Sequence, residues 1–226
     1  MPSSTVEDYL KCIWQLEQDS GRERVGTGQI SQALGVVPGT ATAMIKTLSD
    51  RDLVAYEPYA GVKLTHEGRQ LALHVLRRHR LIELFLVQIM GMEWSQVHSE
   101  AERLEHVVSE ALVERIDEML EHPVVDPHGD PIPSAAGQLE ESEAANLLTA
   151  PLQKPLEVVR VSDQRPEFLR LLDKHGVQPG RRLQVLGRSE PADTVELEME
   201  GEGSVSIGRR AAMKIFVRAA QPATRA

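Results

Sequence analysis

The amino-acid sequence predicts a mainly α-helical N-terminal part followed by a small C-terminal all-β domain. Three observations carry this prediction. The first 65 residues read as helix, helix, turn, helix and a short hairpin. Pro and Gly cluster at Pro123, Pro127, Gly129, Pro131, Pro133 and Gly137, which marks a loop and a domain boundary. Beyond Leu156 the apolar spacing shortens to that of strands separated by Gly-containing turns.

Each element has its own warrant. Val6 to Gln18 is a helix with Tyr9, Leu10, Ile13, Trp14 and Leu16 as its apolar stripe. After the turn bracketed by Gly21 and Gly26, Thr27 N-caps a short helix that buries Ile30, Ala33 and Leu34 and stops at Gly35. Pro38 opens a third helix running to about Arg51, with Ala41, Met44, Ile45 and Leu48 inward. Leu53–Tyr56 and Val62–Leu64 form two strands around the Pro58–Gly61 turn, and Thr65 caps the next helix. That order is the winged helix-turn-helix plan, which lays the second helix of the pair in the major groove of DNA. Two longer helices follow, Thr65 to Met90 and about Ser95 to Glu121, mixing apolar and charged positions as helices packed against a partner subunit do. The C-terminal strands are Leu156–Val161, Arg182–Leu186, Thr194–Met199, Ser204–Ile207 and Lys214–Val217, interrupted by one helix from Pro166 to His175. They predict a small SH3-like barrel. The expected domains are 1–73, winged helix-turn-helix; 74–142, helical and dimerising; and 152–220, SH3-like.

The 226 residues include 34 acidic and 25 basic side chains, for a formal charge of −9. As an average this argues against nucleic acid, but the charge is segregated. Residues 24–80 carry +4, residues 81–150 carry −13, and the flanking stretches 1–23 and 151–226 carry −3 and +3. Phosphates respond to local basic surface, so the +4 block suits DNA. The outward face of the third helix, with Thr40, Thr42, Ala43, Lys46 and Thr47, is small and polar as groove insertion requires. Thr groups read base edges and thymine methyls, while Lys46 and Lys63 suit phosphates. Thr27, Gln29, Pro38 and Gly39 complete the expected DNA-facing set. A lone Cys12 excludes an intramolecular disulfide and reads as a small buried hydrophobe. No membrane span or signal segment is legible, so a cytoplasmic location is expected.

The acidic block and the residues just before it hold the metal-like chemistry. His79 and Glu83 are four residues apart and share a helix face; Glu102, Glu105 and His106 share another, with His98 one turn before Glu102. Separately each is better read as an ion pair or a solvated acidic face. Their repetition on successive helices favours a divalent cation, because crowded carboxylates repel unless neutralised. Asp8, on the first helix, is placed to approach from another direction. No HExxH helix, nucleophile elbow or glycine-rich phosphate loop appears, so an enzyme is not expected.

The sequence resembles the metal-dependent transcriptional repressors of the diphtheria toxin repressor and manganese transport regulator family. Its carriers are Glu7-Asp8-Tyr9-Leu10, the segment 29–65, Arg78-His79-Arg80, Val97-His98-Ser99-Glu100-Ala101-Glu102, Glu105-His106, and the run from Asp126 through His128 and Asp130 to Pro133. The resemblance implies a homodimer that binds a palindromic double-stranded operator when loaded with Mn(II) or Fe(II), and a C-terminal domain of the ferrous-transport-protein A type. It implies a primary metal site of Asp8, Glu102, Glu105 and His106, where iron-responsive relatives have Met and Cys at the first two positions. A second site follows one of two patterns within the family: His79, Glu83 and His98, or Asp126, His128 and Asp163. Arg80 matches an anion-binding position. Carboxylates in place of sulfur favour the harder Mn(II) over Fe(II). The expectation is a Mn(II)-responsive repressor; an Fe(II)-responsive one is the alternative, and a winged-helix regulator of an organic ligand is a more distant one.

Overall fold

A computed structural model of the chain describes residues 3–140, 144–201 and 203–220, and these divide into two compact units. The first comprises Met1–His79, Arg103–Glu110 and Pro133–Leu139; the second comprises Arg80–Glu102, Ala111–Ile132 and Glu140–Ala226.

In the first unit α1 (Ser4–Ser20) buries Val6, Tyr9, Leu10, Ile13 and Trp14 and ends at Gly21, whose φ of 59° places it in the left-handed region that favours glycine. The start of α2 (Thr27–Ala33) corrects one expectation. Gly26, not Thr27, is the N-cap, and Gln29 Oε1 accepts the Gly26 N–H at 2.9 Å, so a side chain three residues on satisfies the helix entrance. Pro38 occupies the first turn of α3 (Pro38–Ser49), and Ala41, Ile45 and Leu48 face the core. Strands β1 (Val54–Glu57) and β2 (Gly61–Leu64) pair antiparallel, Val54 opposite Leu64, to form the wing. The Thr65 hydroxyl accepts the Gly68 N–H at 3.1 Å and so caps α4 (His66–Gln88) as the sequence predicts. Gly68 is required there: a Cβ would lie 1.9 Å from the Leu53 carbonyl oxygen.

The single helix expected over about 95–121 is two, α5 (Val97–Leu104) and α6 (Glu110–Met119). The break falls on Glu105 and His106. Adjacent residues on a continuous helix diverge by about 100°, yet both of these side chains reach α1: Glu105 through Lys11, and His106 through Glu7 and Asp8.

In the second unit, six strands form an antiparallel sheet in the order β3-β8-β4-β5-β6-β7. They are β3 (Ala145–Asn146), β4 (Leu156–Val161), β5 (Arg182–Ser189), β6 (Thr194–Met199), β7 (Gly203–Gly208) and β8 (Ile215–Ala219). The small helices α7 (Pro166–Lys174) and α8 (Arg209–Ala212) complete it, α7 burying Leu169 and Leu172. Irregular registers at Val158/Arg160 and Val185/Gly187 mark bulges, which add twist and bend. Among the described residues no pairing joins β7 back to β3, so the SH3-like sheet is open where a closed barrel was expected.

Candidate metal centres and nucleic-acid face

Three donors meet within the first unit. One ligand atom from each of Asp8, Glu105 and His106 lies within 4.8 Å of the other two. His106 Nε2 is 2.8 Å from Asp8 Oδ1 and 3.4 Å from Glu105 Oε1. Asp8 comes from α1, whereas Glu105 and His106 come from the break after α5, so the cluster joins segments far apart in sequence. Glu105 is fully buried between two cationic or imidazole donors, with Lys11 Nζ 2.5 Å from Oε1 and His79 Nδ1 2.5 Å from Oε2. Burial works against its charge, but His79 and Lys11 outweigh it and hold the carboxyl below the usual range. Asp8 goes the other way: burial raises its carboxyl despite the His106 and Lys11 beside it. Glu102, expected in the same set, belongs to the second unit, where its Oε1 is 3.8 Å from His98 Nε2. Cys12 is buried, and burial pushes its thiol up to about 11, as suits a small hydrophobe rather than a ligand.

A second cluster lies wholly in the second unit. Glu83, Asp126 and His128 are completely buried at their side chains, and their donor atoms also fall within 4.8 Å of one another. The 126–131 loop builds this arrangement. Asp126 Oδ1 accepts the N–H groups of His128 and Asp130 at 2.8 and 2.9 Å, and Gly129 turns the chain at a φ of 85°. The Trp94 ring stacks on His128, whose Nε2 donates to the Trp94 carbonyl at 3.0 Å. Its Nδ1, 3.7 Å from Glu83 Oε2, and Asp126 Oδ2 are buried and make no hydrogen bond among the described residues. Burial, with Asp130 and Glu83 adding repulsion, pushes Asp126 up to about 8. Burial also disfavours the His128 imidazolium, yet Glu83 and Asp126 outweigh it and raise the ring's value. Orphaned buried polar atoms of this kind, facing carboxylates, are what a cation would satisfy. His98 reaches the same Glu83 from outside, Nδ1 to Oε1 at 3.1 Å.

One expectation in this region changes. Asp163 does not join Asp126 and His128: Arg165 Nη2 and Lys214 Nζ hold it at 2.7 and 2.6 Å, and these partners keep its carboxyl well below the usual range. Arg80, the expected anion position, has Asp126 Oδ2 at 3.7 Å and Asp130 Oδ1 at 4.0 Å. The chain's own carboxylates thus face that guanidinium.

On α3, Pro38, Gly39, Thr40, Ala43, Lys46 and Thr47 are exposed, the face the sequence assigned to a groove. Thr42, half-buried, turns its hydroxyl back to the Pro38 carbonyl at 2.9 Å. Thr27 is half-buried, Gln29 is spent on the α2 cap, and Lys63 pairs with Glu23. At the tip of the wing Tyr59 is fully exposed with a φ of 67°, a feature that the turn spacing alone does not reveal.

Three family models match consecutive stretches of the chain. They describe the N-terminal DNA-binding domain of iron-dependent repressors (residues 1–62), the metal-binding and dimerisation domain of iron-dependent repressors (65–134), and the FeoA domain (145–219). The iron-dependent repressor IdeR of Mycobacterium leprae is 31% identical over 226 residues, covering 94% of this chain and 96% of that protein. The chain belongs to the iron-dependent repressor family. It is a metal-dependent, DNA-binding transcriptional repressor of the diphtheria toxin repressor type, with a domain for DNA and a domain for a second copy of itself.

Solved structures resemble the repressor over almost its whole length. A manganese-dependent transcriptional repressor in complex with manganese is 39% identical, with a TM-score of 0.86 over 95% of this chain and 100% of that one. ScaR with bound Zn2+ is 33% identical with a TM-score of 0.77, over 97% of this chain and 100% of that one. IdeR of T. acidophilum is 27% identical with a TM-score of 0.76, covering 95% of this chain and 97% of that one. No helix among the repressor's described residues is long and apolar enough to cross a membrane. Sequence reasoning passed over two buried charges at its first cluster, Glu7 and Arg78. The signal was present for Glu7, which shares its helix face with Leu10 and Trp14 at spacings of three and seven.

Proposed function

We propose that this repressor responds to Mn(II), which binds the operator-competent dimer more tightly than the free form and so favours it. The observation that supports this most is the Asp8–Glu105–His106 cluster, two carboxylates and an imidazole with no sulfur donor among them. Oxygen-rich sets with one imidazole suit hard to borderline divalent cations. Glu102 is proposed as a further ligand of this site, on the family resemblance. Glu83, Asp126 and His128 form the proposed second site, with His98 beside Glu83. The bound cation would supply positive charge that relieves carboxylate repulsion. Asp8 ties the helix preceding the reading head to that site, Glu105 and His106 tie the segment after α5 to it, and the exposed α3 face presents Thr40 and Lys46 to a palindromic operator. No catalytic role is assigned to any residue, and the cytoplasm is the proposed location.

An Fe(II)-responsive repressor is the second reading, favoured by the IdeR relative. The two are separated by titrating operator binding with Mn(II) and with Fe(II), anaerobically, at matched free-metal concentrations. Mn(II) activation at lower free metal than its cellular competitor supports the proposal, and activation by Fe(II) alone contradicts it.

A further inference from the structure

His106 has a carboxylate at each ring nitrogen, and the one at Nδ1 lies outside the metal cluster. Nε2 faces Asp8 and Glu105, while Nδ1 lies 2.7 Å from Glu7 Oε2. From the geometry we infer that Glu7 is a positioning residue, which fixes the His106 proton on Nδ1 and so keeps the Nε2 lone pair directed into the metal cluster. This rests on the reading of Asp8, Glu105 and His106 as a metal site.

A neutral imidazole carries one N–H, and an ionised carboxylate can only accept. Asp8 Oδ1, 2.8 Å from Nε2, is an acceptor as well; once a cation takes the Nε2 lone pair, the ring's proton is on Nδ1, where Glu7 accepts it. Metal-binding histidines are commonly oriented in this way, and loss of the outer partner costs roughly 10–100-fold in metal affinity. Glu7 cannot swing into the cluster as a ligand without giving up a second bond. Its Oε1 accepts from Arg78 Nη2 at 2.8 Å, and Arg78 Nη1 also lies 3.6 Å from Glu110 Oε1. Both Glu7 and Arg78 are buried, so this pairing is shielded from water and its geometry is held. Two consecutive acids on α1 thus divide the work: Asp8 faces the cation position and Glu7 orients the ring.

The arrangement makes Glu7→Gln an informative isosteric change. Arg78 offers only donors, so the new amide must turn its oxygen to Arg78 and its NH2 to His106. That forces Nδ1 to accept and moves the ring proton to Nε2, where it blocks the cation. In the double variant Glu7→Gln/Arg78→Met the amide can rotate back. The full-length protein is measured in two ways: Mn(II) affinity by titration, and the protonation of the two His106 ring nitrogens by long-range 1H–15N NMR on protein loaded with diamagnetic Cd(II). The inference predicts metal at Nε2 and the proton on Nδ1 in the wild type, Mn(II) affinity roughly 10–100-fold weaker in E7Q, and partial recovery of affinity in the double variant. Metal at Nδ1 with the proton on Nε2 in the loaded wild type overturns it, and that result needs no variant to fold. Wild-type Mn(II) affinity in a folded E7Q overturns it equally. Asp8→Ala and His106→Ala separate the two levels: if they bind Mn(II) as the wild type does, the metal reading itself fails. If they lose binding while E7Q keeps it, only the role of Glu7 fails.

Discussion

At the scale of single residues, the ligand chemistry decides which metal is preferred. Asp8 contributes a hard oxygen to a cluster that otherwise holds Glu105 and His106. Asp8→Met exchanges that oxygen for a thioether, which should lower operator activation by Mn(II) and leave Fe(II) or Co(II) relatively favoured. Parallel metal titrations of variant and wild type check this; an unchanged order of metals contradicts it. Asp163 illustrates the opposite case, a predicted ligand already committed. Its carboxyl is held below the ordinary value of 3.8 by Arg165 and Lys214. The folded state therefore holds fewer protons there than the unfolded state in acid, and the stabilisation is complete above pH 3.8 and lost as pH falls toward the lowered value. Because Arg165 is exposed, solvent screens much of the pair. Asp163→Asn should cost roughly 1 kcal/mol near neutral pH and progressively less below pH 4, as read by denaturant unfolding at several pH values. The spacing of histidines and acids drew attention to these residues, but the end of α5 at Leu104 takes Glu105 and His106 off the helix that carries Glu102, so a shared helix face does not hold for them. The metal-like spacing did not show that Asp163 is committed, since one partner, Arg165, is two residues away and the other, Lys214, is brought to it by the fold of the second unit. Nor did it reveal that Lys11 would be buried against Glu105, because a lysine on a helix is ordinarily solvated.

At the scale of elements, local rules served well where local chemistry decides the outcome. Pro38 at the start of α3, Gly21 and Gly35 at helix ends and the Thr65 cap all act within a few residues, and the winged helix-turn-helix was readable from them. The α2 entrance escaped because two neighbours compete for it, and Gln29 reaches the Gly26 N–H where Thr27 was expected to cap. The α5/α6 break escaped for a longer-range reason: Glu105 and His106 must both reach α1, and no local Pro or Gly announces it. The open sheet is likewise a matter of strand pairing, which strand patterns leave unspecified. The 126–131 loop gives a direct test of how a single backbone position holds a cluster. A Cβ at Gly129 would meet the Val159 carbonyl oxygen at 1.8 Å, and the His128 carbonyl accepts the Val161 N–H at 2.8 Å. Gly129→Ala combines a positive-φ penalty with overpacking and should cost about 2–4 kcal/mol. Thermal unfolding would register it, together with weakened metal binding at Glu83, Asp126 and His128; a wild-type melting temperature contradicts this account of the loop.

At the scale of the whole molecule, net charge misleads and its distribution informs. The chain is −9 overall, yet the stretch containing α2, α3 and the wing is +4 and the next seventy residues are −13. The acidic stretch contains Glu83, His98, Glu102, Glu105, His106, Asp126 and His128, so much of the excess negative charge surrounds the proposed metal sites. Cation binding there would reduce repulsion in the acidic stretch while the basic one meets phosphate, and so both steps favour the same DNA-bound state. The most direct test is operator binding by the purified full-length protein at one fixed salt concentration. Inverted-repeat sites selected from random DNA by Mn(II)-loaded protein serve as the target. Affinity is then measured by fluorescence anisotropy with Mn(II), with chelator, and with Mn(II) restored. The account predicts that Mn(II) strengthens binding by roughly 5–150-fold, that chelator reverses this, and that Asp8→Ala no longer responds. Equal affinity with Mn(II) and with chelator would contradict it.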